Sequence, residues 1–246
     1  VVVFATLLFC MVTRSHSMFT LHIANKNYSS WSLRPWVLMR TLNIPFTEQI
    51  HPLNVGSSWN NYRTFSPNGR VPCLQDGDQT VWDSLAIAEY LAETWPHVWP
   101  ADKTARAWAR SASAEMHSGF QTLRNNCGMS CGHRIQMHAI SPALQKDITR
   151  IDELWNEGLR KFGGEFLAGE KFTAVDAFFA PVAFRFQTYG LPLTSAAKDY
   201  LARLLDLPAM QEWYVSGLAE TWREPEHEQE ILAAGKLLAD LRQPSQ

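Results

Sequence analysis

Hydrophobic positions divide the chain into two halves with different periodicities. In the first half, Phe19-Thr20-Leu21-His22-Ile23-Ala24 is an apolar run of strand length and β-friendly composition. Trp36, Val37, Leu38, Met39 and Leu42 then recur at helical spacing. Residues 45–50 read as a second strand and 57–65 as a short polar helix. Strands at 71–74 and 79–82 flank a hairpin turn at Asp76-Gly77-Asp78. Asp83-Ser84 opens a helix to about Thr94, with Leu85, Ile87, Ala88 and Leu91 on its buried side. The order β-α-β-α-β-β-α predicts a mixed sheet with helices on its faces.

The pattern changes at 95–103, where Pro96 and Pro100 interrupt it, and no strand-like alternation follows. Ala105, Trp108, Ala112, Met116, Phe120 and Leu123 predict one long helix. Leu144, Ile148, Ile151, Trp155 and Leu159 predict a second. Thr173-Ala174-Val175-Asp176 resembles a capping box opening a third, and Pro181 predicts a bend inside it. Further helices are expected near 195–205 and 208–220. The charged stretch 223–230 is expected to be solvated. The fold class is therefore α/β plus all-α. Residues 1–17 are an extension outside the fold, 18–98 form the α/β domain, 104–222 an all-helical domain, and 223–246 a charged tail.

Composition narrows the function classes. Of 246 residues, 46% are hydrophobic and 19% charged, which suits an ordinary globular protein with a sizeable core. A net charge of −2 offers no basic footprint, so nucleic acid is not an expected partner. Cys10, Cys73, Cys127 and Cys131 form no CxxC pair and are too few for a disulfide framework, which points to a reducing, cytoplasmic setting. Cys127, Cys131 and His133 give only three possible zinc ligands, so no metal is expected. The apolar part of 1–17 is too short to span a bilayer, has no basic stretch ahead of it and no clear cleavage site behind it. It reads as an upstream extension, with a signal peptide as the alternative, and no membrane association is expected.

Candidate chemistry begins at Tyr28-Ser29-Ser30-Trp31-Ser32-Leu33-Arg34-Pro35-Trp36, a serine-rich turn between strand and helix. Proline is tolerated in the first helical turn and disruptive further in. Pro35 therefore places Ser32 as the cap, with Ser29 and Ser30 ahead of the helix near its free N–H groups. These serines read either as caps and turn residues or as hydroxyls presented to a ligand at the positive end of a helix. Val71-Pro72 follows a turn cluster. A cis bond there would turn the Val71 backbone outward to pair with a peptide, whereas a trans bond would make it an ordinary strand start. Asp83-Ser84 can hold an ammonium and a carboxylate respectively, or can simply cap its helix.

Taken together, Ser29-Ser30-Trp31-Ser32, Asn68-Gly69-Arg70-Val71-Pro72-Cys73-Leu74, the Asp83-Ser84 helix start and Thr173–Asp176 resemble the soluble glutathione transferase superfamily. The resemblance runs from Met18 to about Glu220 and is nearest the serine-type zeta and theta-like classes. It implies a thioredoxin-like N-terminal domain, an all-helical C-terminal domain, glutathione as cosubstrate and a homodimer. It makes Ser29 the usual catalytic position, with Ser30 beside it and Tyr28 as competitor. It assigns Val71 and Pro72 to the glutathione backbone, Asp83 and Ser84 to its γ-glutamyl end, and Arg70 to its glycyl end. Trp31 stands where the zeta motif has cysteine, which argues against an isomerase. Trp31, His117 and Arg124, with the loop Asn125-Asn126-Cys127-Gly128-Met129, are candidates for the electrophile pocket.

The implied activity is detoxifying transfer of glutathione to a small electrophile. Alternatives are a zeta-like maleylacetoacetate-type cis–trans isomerase and a non-catalytic adaptor with this fold. A free thiol titrates near about 8.5. Lowering it by about two units requires about 2.7 kcal/mol of preference for the charged form. A hydrogen bond to a charged group contributes about 1.5–3 kcal/mol, so one serine hydroxyl at a helix N-terminus is sufficient.

Overall fold

The computed structural model describes residues 19–53 and 58–244. The expectations for 1–17 lie outside those residues. β1 (Phe19–Ile23) leads into α1 (Ser30–Thr41), β2 (Phe46–Ile50) and the short α2 (Ser58–Tyr62). The hairpin β3 (Cys73–Asp76) and β4 (Gln79–Val81) is followed by α3 (Ser84–Ala92). The sheet order is β2-β1-β3-β4, with β1 parallel to β2 and antiparallel to β3, and β3 antiparallel to β4. This is the mixed sheet that the element order predicts and the thioredoxin-like arrangement that the family resemblance implies. Leu21 and Ile23 in β1, Leu74 in β3, and Leu33, Trp36 and Val37 in α1 are fully buried.

A single turn of 3₁₀ helix at Pro96–Val98 leads to α4 (Lys103–Ser118) and α5 (Gln121–Asn126). The expected single long helix is thus split. Gly119 closes α4, and Phe120 takes a left-handed conformation (φ 59°) before α5 begins. α6 (Pro142–Phe162), α7 (Ala174–Tyr189), α8 (Ser195–Asp206) and α9 (Pro208–Ala219) follow. α7 is buried on nearly every face, the signature of a central core helix. It packs against α1, which joins the two halves.

Asp176 fastens the start of α7. Its carboxylate accepts from Leu167 N (3.0 Å), Thr173 N (2.9 Å) and the Tyr200 hydroxyl (2.9 Å). The helical half also carries a two-stranded antiparallel ribbon, β5 (His133–Met137) with β6 (Gly235–Asp240), the latter preceded by α10 (Pro225–Ala233). The stretch expected to be a solvated tail is therefore folded. The Glu224 carboxylate caps α10 by accepting from His227 N at 2.7 Å, Pro225 sits in the first turn, and Ile231 is buried. Beyond β6, Arg242 bonds Glu228, Asp240, the Tyr28 hydroxyl and His133 Nε2. The buried Arg242 guanidinium thus holds in place charged residues that composition alone would leave free in water.

Candidate active site

The serine turn opens onto a cavity of about 400 Å³. Tyr28, Ser29, Ser30 and Trp31 form one wall, and Gly69, Arg70 and Val71 another. Arg124, Gly128 and Met129 come from the end of α5 and the loop after it, Arg185 from α7, and His227 and Glu230 from α10. Both halves of the chain therefore build it.

α1 starts earlier than Pro35 suggests. Ser29 is the N-cap position and Ser30 the first helical residue, so Pro35 lies in the helix interior. Its missing N–H costs one helical bond, and burial of Trp36, Val37, Leu38 and Met39 along the helix offsets that cost. The Ser29 hydroxyl makes no capping bond. It lies 2.7 Å from the Ser32 hydroxyl, whose oxygen also accepts from Ala24 N at 3.1 Å. Ser32 therefore pins the turn to the end of β1, and Ser29, only partly buried, faces the cavity.

Tyr28 is engaged elsewhere. Its hydroxyl donates to Glu228 at 2.6 Å, and burial together with that carboxylate raises its pKa far above the ordinary tyrosine range. A phenol tied to a carboxylate is a poor donor to a second anion. Tyr28→Phe is expected to cost about 1 kcal/mol of stability, the contribution of a typical hydrogen bond. It should leave the titration of a bound thiol unchanged, as checked by urea unfolding and thiolate absorbance.

The Val71–Pro72 peptide is cis, as is Trp82–Asp83. Val71 and Arg70 line the cavity, while Pro72 is buried behind them. Gly69 adopts φ +62°, and a Cβ there would stand 2.5 Å from the Trp59 ring. Gly69→Ala should therefore cost about 1–2 kcal/mol from the left-handed backbone alone. Urea denaturation measures that loss, with a weaker glutathione affinity expected as the turn shifts.

Asp83 caps α3 by accepting from Leu85 N at 3.0 Å, and its other oxygen lies 3.4 Å from His117 Nε2. Ser84 is buried, and its hydroxyl has no partner among the described residues. Asp83, Asn68, Trp82 and His117 line a second recess of about 500 Å³. His117 thus departs from its expected place. It stands with Asp83 rather than among the lining of the main cavity, with its ring edge-on to Trp31 at 5.3 Å. Burial lowers its pKa, which disfavours the charged form.

Sequence reasoning named Arg124 for this pocket and missed Arg34 and Arg185. Arg185 is buried in α7 and lines the main cavity beside Arg124. Arg124 bonds the carbonyls of Gly119, Met116 and His117, and Arg185 that of Cys127. Burial, together with the Arg185 charge, lowers the Arg124 pKa to about 10, which leaves it charged at neutral pH. The Arg34 and Arg124 guanidinium carbons lie 4.2 and 4.7 Å from the Trp31 ring centroid. Among the described residues none of these three arginines forms an ion pair. His227 and Glu230 were also missed. The proline at the start of α10 was the available signal for a helix there.

Among the described residues no group of three or more His, Cys, Asp or Glu side chains could hold a metal ion, and no helix is long and apolar enough to cross a membrane.

Two family models match the chain. The glutathione S-transferase N-terminal domain matches residues 28–94, and the glutathione S-transferase C-terminal domain matches residues 138–215. A maleylacetoacetate isomerase of Rattus norvegicus is 29% identical over 159 residues, covering 62% of this chain and 70% of the relative. Glutathione S-transferase Z1 of Arabidopsis thaliana is 30% identical over 162 residues, covering 61% and 71%. The fold is similar to that of a glutathione transferase homolog from Burkholderia solved with bound glutathione. That likeness has a TM-score of 0.60 and 24% identity, and covers 82% of this chain and 98% of the other.

Proposed function

This chain belongs to the glutathione S-transferase family, and from that premise we propose that it is a glutathione transferase whose Ser29 hydroxyl stabilises the thiolate of bound glutathione for attack on a small electrophile. The observation that carries the reading is the place of Ser29. It stands at the N-terminus of α1 with its hydroxyl not used in capping, in a cavity that also presents Arg70 and Val71. In this reading the γ-glutamyl end of glutathione lies at Asp83 and Ser84, the peptide backbone runs past Val71 and Pro72, and the glycyl carboxylate meets Arg70. The orphaned Ser84 hydroxyl then gains an acceptor.

Ser32 orients the donor. Its oxygen accepts from Ala24 N and from the Ser29 hydroxyl, which fixes the place of Ser29 Oγ. When glutathione binds, the Ser29 proton turns from Ser32 Oγ to the sulfur. Ser29 is a donor and not a nucleophile, because no base adjoins it. The thiolate attacks the electrophilic atom, the new carbon–sulfur bond forms, and the leaving group or the conjugate anion takes up charge in a cavity walled by Arg124 and Arg185. Trp31 supplies an apolar face for the electrophile. The chain is proposed to act as a cytoplasmic homodimer in detoxification.

A second reading is a zeta-like cis–trans isomerase of a maleyl-type acid. The zeta-class relatives favour it, as do two cavity arginines suited to carboxylates, while Trp31 in place of cysteine speaks against it. Assay with an electrophile panel and with maleylacetone separates the two. Conjugation without isomerisation supports the transferase, and rapid glutathione-dependent isomerisation supports the alternative. Failure to be retained on immobilised glutathione, with no calorimetric binding, would leave the adaptor.

A further inference from the structure

Arg34 is the residue that the serine mechanism leaves unexplained. It is 1% exposed, and its Nε and Nη1 have no hydrogen-bond partner among the described residues. Its guanidinium is stacked between Trp31 (4.2 Å) and Phe178 (5.0 Å), with no carboxylate paired to it. Burying a charge without a partner is costly, and an apolar side chain of similar volume would ordinarily be more stable there. Of its described neighbours Asp83 alone favours that charge, and it does so without pairing with the guanidinium, so the cation is left short of counter-charge.

Its position points to where that charge comes. Ser30 and Arg34 are four residues apart in α1 and share a face. Helical side chains lean toward the N-terminus, so the guanidinium is carried toward the serine turn. There it underlies Trp31, which is itself a wall of the cavity beside Ser29.

We propose that Arg34 acts electrostatically on the proposed reaction: its sealed guanidinium is the fixed positive charge that the thiolate of bound glutathione neutralises. The inference rests on the reading of the cavity as a glutathione site. The charged and titratable groups around Arg34 come from each neighbouring element. α3 contributes Asp83, α4 His117, α5 Arg124 and α7 Arg185. Asp83 opposes the effect at the γ-glutamyl end, where it also caps α3. His117, disfavoured as a cation by burial, adds little positive charge. Burial and the charges of Arg124 and Arg185 weigh against the Arg34 charge, and an arriving anion relieves that repulsion. Arg34 does not touch the sulfur; it shapes the field in which Ser29 donates.

The test is titration of thiolate absorbance in the glutathione-saturated protein. Arg34→Met should raise the bound-thiol pKa by about one unit, the lower end of the effect of a nearby opposite charge. Activity of the saturated protein at pH 7 should fall about two- to sixfold, the loss of thiolate fraction for a one-unit rise, and recover as pH rises past the new pKa. Arg34→Lys should restore most of the shift. Glutathione affinity measured well below the thiol pKa should stay within about twofold, because the neutral thiol has no charge to lose. Arg34→Gln serves if Arg34→Met melts at the assay temperature. Wild-type titration in any folded Met or Gln variant overturns the proposal. So does an Arg34→Lys protein with a native circular dichroism spectrum and the same defect as Arg34→Met, since that outcome assigns Arg34 a role of shape. An undepressed thiol pKa in the wild-type protein would instead count against the glutathione reading itself.

Discussion

Ser29→Ala raises the pKa of the bound glutathione thiol by about one to two units and lowers kcat/KM at pH 7 by about 10- to 100-fold, the loss of one hydrogen bond to a charged group. The protein should keep its fold, because the Ser29 hydroxyl makes no capping bond and its only described partner is Ser32. Glutathione should still bind through the contacts proposed for Asp83, Ser84 and Val71, so the defect falls on kcat more than on KM for glutathione. Raising the pH should rescue the variant, since the thiolate then forms without help. Ser30→Ala should have the smaller effect. A larger effect at Ser30 would move the donor one residue into the helix, where its side chain sits one helical step further round α1.

The largest expected loss of stability lies far from the cavity, at Asp176. This carboxylate is fully buried and satisfies two backbone N–H groups and the Tyr200 hydroxyl. Asp176→Ala leaves all three donors buried without a partner, at about 1–3 kcal/mol each. Partial repair by water and backbone movement should hold the total to about 3–5 kcal/mol. Urea unfolding should show a lower midpoint, and refolding yields should fall, because Leu167 and Thr173 are no longer fixed to the start of α7. α7 packs on α1, so a loosened α7 also loosens the base of the serine turn. Tyr200→Phe removes one donor together with its bond and should cost only about 1 kcal/mol.

The two losses mark what the sequence could and could not convey. Local signals located the thioredoxin-like half well: the apolar run of β1, the turn formers around Gly77, and the Asp83 cap each describe their own element. The same holds for the Thr173–Asp176 start of α7. Reading failed where a tertiary contact overrode a local preference. Pro35 argues for a helix start three residues later than the structure shows, because the burial gained by α1 lies outside any local rule. Gly119-Phe120 breaks a helical pattern whose apolar spacing runs straight through. The charged end of the chain looked soluble, yet Glu228, Asp240 and Arg242 neutralise one another around Tyr28 and His133. Within the cavity, residues on recognisable turns were nameable from sequence. Arg34 and Arg185 were not, since a lone arginine in a helical pattern reads as a surface residue until its burial is seen.

The central claim is that this cavity holds glutathione as a thiolate beside Ser29. Ultraviolet titration of the wild-type protein saturated with glutathione measures that most directly. A bound thiol pKa of about 6 to 7, against about 8.5 for a free thiol, is the predicted result. A bound thiol that titrates at its free value, or a protein that takes up no glutathione, would contradict it.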